Sequence, residues 1–186
     1  MTWFTNLGRT AVAAIFLAAG VSVPNLAVAD DLTPLFERLK NVDATEYMPI
    51  EQRIWREWSK SGSPSLDLLL ERGDKALEAG EFARAIEHFT ALTDHAPEFA
   101  QGFHARARAY YEADLYGPAL ADLERAIALE PRHFGALSGL AVIFEELGME
   151  DAALELYYAV RAIHPHRENL SDHIDRLEKA TAGKRL

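Results

Sequence analysis

Proline recurs every 34 residues through the middle of this chain, at Pro97, Pro131 and Pro165, and the residues between keep step with it. The first unit runs Leu69, Gly73, Ala76, Phe82, Ala85, Phe89, Leu92, Pro97. The second runs Phe103, Ala107, Tyr110, Tyr116, Ala119, Leu123, Ala126, Pro131. The third runs Leu137, Ala141, Phe144, Glu150, Ala153, Tyr157, Val160, Pro165, and only Glu150 loses the bulky apolar character of its slot. A fixed period with matched slots is the mark of a repeat array, in which each unit buries its apolar face against its neighbours and the usual task is to hold other molecules.

Within each unit the apolar spacing predicts two helices. Gly73, Ala107 and Ala141 place a small residue on the first helix, and Ala85, Ala119 and Ala153 on the second. A larger side chain there would push crossing helices beyond the 8–10 Å of close packing. Gly80, Asp114 to Pro118 and Gly148 mark the turns inside units. Pro118 is tolerable in the first turn of its helix, where amide hydrogens have no intrahelical partner.

The flanks depart from this register. Residues 30–64 read as a leading helical hairpin: Thr33-Pro34 opens one helix, Asn41 to Asp43 breaks it, and Asp43 with Glu46 has capping-box spacing before Pro49. Ile50, Ile54, Trp55 and Trp58 recur at helical spacing, which predicts core packing of the Trp pair against the first unit. A partner-binding aromatic surface at Trp55 and Trp58 is the alternative. After Pro165, Leu170, Ile174 and Leu177 form one narrow apolar stripe on a helix expected from Glu168 to Ala180, a solvated cap with Thr181 to Leu186 frayed. The expected units span 65–98, 99–132 and 133–166, with 167–186 as cap and tail.

Met1 to Ala29 reads as a cleaved signal peptide: Arg9, an apolar run to Val23, then Ala27-Val28-Ala29 before Asp30-Asp31. Retention as an uncleaved anchor is the alternative; otherwise no integral membrane segment is expected after processing. The chain of 186 residues contains no cysteine, so an exported form would be held by packing alone. Export without cysteine fits a bacterial periplasm. The net charge of −10 argues against nonspecific nucleic-acid binding and against anionic lipid.

From Leu66 to Pro165 these slots resemble the tetratricopeptide-repeat (TPR) family, which has small residues at unit positions 8 and 20 and proline at 32. The whole chain is similar to small exported repeat proteins of alphaproteobacteria with a Trp-containing leading hairpin. The resemblance implies an all-α, right-handed superhelical solenoid of stacked antiparallel hairpins. It further implies a concave groove lined by the first helices, with Asp74 and Glu78 toward one end, His104, Arg108, Tyr111 and Glu112 in the middle, and Val142, Glu145 and Glu146 toward the other. The groove should be acidic at both ends. Family members that read chaperone tails clamp a terminal carboxylate with Lys, Asn and Arg; Asp74 and Arg108 stand where a clamp Asn would be, so tight binding of acidic tails is not expected.

Arg108 can anchor a carbonyl or carboxylate and Tyr111 can stack beside it; a solvated Arg108–Glu112 pair is the plainer alternative. His164, His166 and His173 lack the spacing of a helical metal pair, and the sequence carries no phosphate loop, nucleophile elbow or HExxH motif. Neither a catalytic centre, nor a metal, nor a cofactor is therefore expected. The sequence points to a periplasmic, non-catalytic module that holds a peptide or protein segment as an adaptor in envelope assembly or transport, with a monomer favoured. The alternative is a structural or self-associating scaffold using the outer helix surface, which Glu87, Glu124 and Glu155 keep charged.

Overall fold

The computed structural model describes residues 32–184, all of whose regular structure is helical. The leader, and with it the signal-peptide expectation, lies outside the described residues. The helices are α1 (Thr33–Asn41), α2 (Met48–Trp58), α3 (Pro64–Glu78), α4 (Phe82–His95), α5 (Ala100–Glu112), α6 (Tyr116–Leu129), α7 (Phe134–Glu146), α8 (Glu150–Ile163) and α9 (Leu170–Lys184). The pairs α3–α4, α5–α6 and α7–α8 are the three repeated hairpins, stacked in order.

The small slots lie where helices meet. Ala85, Ala107, Ala119, Ala141 and Ala153 are buried. A Cβ added to Gly73 would overlap the Phe89 ring, 2.6 Å from Cδ1. Each first helix ends in the same way. The amides of Glu81, Leu115 and Met149 donate to Ala76, Tyr110 and Phe144 at 2.8 Å, while those of Gly80, Asp114 and Gly148 donate to Leu77, Tyr111 and Glu145 at 2.9–3.0 Å. This is a Schellman closure in every unit, and it needs a left-handed residue after the cap. Gly80 and Gly148 take it at φ 73° and 72°, and Asp114 takes it at 58°.

A partly buried ion pair ties three helices together. The Arg106 guanidinium donates to both Asp122 oxygens at 2.6 and 2.8 Å and to Thr93 Oγ1 at 2.8 Å, joining α5 to α6 and α4.

Three expectations are corrected. The leading hairpin does not pack on the first unit: Phe36, Leu39, Ile50, Ile54 and Trp58 share a core with Phe134, Leu137, Tyr157 and Val160 of the third unit and Leu170, Ile174 and Leu177 of α9. Trp58 is therefore core, not an exposed aromatic surface. No capping box forms at Asp43; Asp43 to Glu46 closes a tight turn, with the Glu46 amide on the Asp43 carbonyl at 3.0 Å, and Pro49 sits in the first turn of α2. The last helix runs on through Thr181, which is buried with its hydroxyl donating to the Leu177 carbonyl at 2.9 Å.

Candidate functional site: the concave cavity

The first helices α3, α5 and α7 run side by side, so equal slots of successive units become neighbours. Slot 9 brings Asp74 beside Arg108, Nη1 to Oδ1 at 3.6 Å, and leaves Val142 next in line. The Arg108–Glu112 pair expected from helical spacing does not form. The adjacent slots bring Tyr111 to Glu146, the phenol donating at 2.5 Å. Donating to a carboxylate leaves the phenol hard to ionise: the Glu146 hydrogen bond, with burial, pushes Tyr111 up to about 12.

Between these residues lies a cavity of about 410 Å³. Leu77, Glu78 and Phe82 come from the first unit, His104, Ala107, Arg108, Tyr111, Glu112 and Leu123 from the second, and Gly139, Val142 and Ile143 from the third. Six of the expected groove residues thus meet in one place: Glu78, His104, Arg108, Tyr111, Glu112 and Val142. Asp74 does not line the cavity but holds Arg108. Burial raises the Asp74 carboxyl, Arg108 opposing and Glu78 adding to the rise. The apolar floor from Phe82, Leu123 and Ile143 was not foreseen, because it comes from core-facing slots whose ends reach the cavity.

His104 is 6% exposed rather than an open groove residue. Burial, then the neighbouring His133, pushes its imidazole well below the ordinary range, so it is neutral at physiological pH. Its Nδ1 is buried without a hydrogen-bond partner. Trp55 of α2 lies against this ring at a centroid distance of 5.6 Å, and approaches so closely to α7 that a Cβ on Gly135 would sit 2.5 Å from the indole. The leading hairpin therefore abuts the same histidine that lines the cavity. Next to it, His133 accepts the Ala136 amide at Nδ1 (3.1 Å), which leaves Nε2–H to donate to Gln101 Oε1 (3.0 Å), and Trp58 stacks on it at 4.2 Å.

The tetratricopeptide-repeat profile matches residues 70–117 and 104–168, and the chain belongs to that family. A TPR repeat-containing protein of Rhizobium etli is 30% identical over 155 residues, covering 83% of this chain and 76% of the relative. That source agrees with the alphaproteobacterial resemblance. Among solved structures, the first TPR domain of Spaghetti (RPAP3), bound to the HSP90 peptide SRMEEVD, superposes with a TM-score of 0.60 at 24% identity, over 63% of this chain and 93% of that one. The TPR2B domain of yeast Sti1, in complex with an Hsp70 peptide, gives 0.58 at 23% identity, over 66% and 99%. At that identity the likeness is one of fold. Among the described residues no helix is long and apolar enough to cross a membrane.

Proposed function

We propose that this chain is a non-catalytic periplasmic module that holds a peptide or protein segment in its concave cavity, acting as an adaptor in cell-envelope assembly or transport. The observation that carries the reading is a single cavity of about 410 Å³ built from all three units, with Arg108, Tyr111 and Glu112 at its opening. That volume suits one or two bulky side chains of an extended segment. Peptide-bound structures of the RPAP3 and Sti1 domains support a binding role for this architecture. The leader at Met1 to Ala29 supports export.

The test is a photoreactive residue at Tyr111 in living cells, with cell fractionation beside it. One envelope protein trapped there, and lost with Arg108→Glu, is expected. Adducts only on the outer helices, where Glu87, Glu124 and Glu155 are exposed, with a stable homo-oligomer in sedimentation, would replace the groove by a scaffold surface. Recovery in the cytoplasm would remove the periplasmic part.

A further inference from the structure

We infer that the concave cavity takes a bulky apolar side chain carried on a cationic segment of a partner protein; this rests on the groove reading above and adds the charge of the occupant. The floor is apolar: Leu77, Phe82, Ala107, Leu123, Val142 and Ile143 give a bulky side chain a surface to desolvate against. The opening is acidic. Glu78 and Glu112 are exposed, and neither is held by a cation among the described residues. Glu146 stands one hydrogen bond behind Tyr111.

Arg108 is the one cation among the described lining residues, and Asp74 already faces it at 3.6 Å. Its charge is thus offset locally, while those of Glu78, Glu112 and Glu146 are not. Low-dielectric walls concentrate that negative potential at the mouth. A Lys or Arg beside the apolar anchor can lay its aliphatic stem along the floor and keep its charge at the acidic rim. An acidic segment would meet repulsion at the same place. His104, which also lines the cavity, is buried and its Nδ1 has no hydrogen-bond partner among the described residues.

The experiment is selection of random displayed peptides on the immobilised full chain, counter-selected on Val142→Arg, which fills the cavity. Enriched peptides are expected to carry Lys or Arg within two positions of a bulky apolar residue. In fluorescence anisotropy such a peptide should lose about tenfold in affinity in the Glu78→Lys, Glu112→Lys double variant at low salt, and that difference from the native chain should shrink as salt is added. Both substitutions are on exposed positions, and an unchanged melting temperature checks that the variant is folded. Enriched peptides that are acidic or uncharged, or indifference to the double reversal, would overturn the charge inference and leave the groove standing. No enrichment over Val142→Arg would overturn both.

Discussion

Asp114 stands at a backbone position that the other two units give to glycine. Its φ of 58° lies in the left-handed region, where a Cβ crowds the following carbonyl. Asp tolerates this better than most residues but less well than Gly. The Schellman bonds on either side are as short as in the glycine units, so the closure is formed and the strain is confined to one residue. Asp114→Gly should therefore stabilise the protein by about 0.5–1 kcal/mol, read as a higher urea midpoint with unchanged slope. A lower midpoint would mean that the Asp side chain has a role in the turn. His133 gives the pH dependence. Burial holds its imidazole at about 3, below the ordinary 6.5. A depressed folded-state value means that its contribution is complete above about pH 6.5 and is lost as pH falls toward 3. His104 is depressed in the same direction. His133 should therefore remove about 1 kcal/mol per pH unit below 6.5. Burial raises the Glu51 and Glu145 carboxyls, but His164, Trp55 and Arg167 beside Glu51, and Arg176, Tyr157 and His173 beside Glu145, outweigh it and hold both below the ordinary range, so their contributions are lost only below about pH 4.5. Thermal melts between pH 7 and 5 isolate the histidines. The midpoint should fall over that range, and His133→Asn should reduce the slope.

At the scale of elements, the repeat was legible because its constraint is local. A small residue must recur wherever two helices cross, and a left-handed residue must follow each first helix, so Gly73, Ala107, Ala141, Gly80 and Gly148 carry the fold in their own spacing. The docking of α1–α2 was not legible. Trp58 meets His133 and Phe134 across some 75 residues of sequence, and nothing in the leading segment repeats to reveal its neighbour. The pairing of Arg108 was legible in principle. Equal slots of adjacent units become neighbours, so opposite charges at Asp74 and Arg108, 34 residues apart, outweigh the helical spacing to Glu112. Because Trp58 is core to the third unit, Trp58→Ala should cost about 3–5 kcal/mol. The loss should appear as faster hydrogen exchange in α7 and α8, with α3 and α4 unaffected. Loss of protection in α3 and α4 instead would restore the packing expected from sequence.

The molecule as a whole is not a plain stack with two equivalent ends. In a linear array both terminal units lack one neighbour, and both are expected to open early. Here the hairpin α1–α2 and the cap α9 both join the core of the third unit, so that unit is covered by elements from either end of the described chain. The first unit has no such cover. Its core of Leu70, Ala76, Leu77, Ala85, Phe89 and Leu92 is completed from the second unit by Ala105 and Ala109 of α5 and, at its partly buried margin, by Phe99. Opening α3–α4 therefore uncovers one interface and one wall of the cavity, while opening α7–α8 disrupts the hairpin and the cap as well as the cavity. Native-state hydrogen exchange should rank α3–α4 lowest in opening free energy and α7–α8 highest, the asymmetry growing at low denaturant where sub-global openings dominate. The ordering also bears on binding, since Leu77, Glu78 and Phe82 are the first unit's share of the cavity wall. A peptide held there should raise the protection of α3–α4 most, because that unit has the most opening to lose. Equal protection at both ends, or a cap that opens before α3, would mean that the hairpin adds no stability to the third unit.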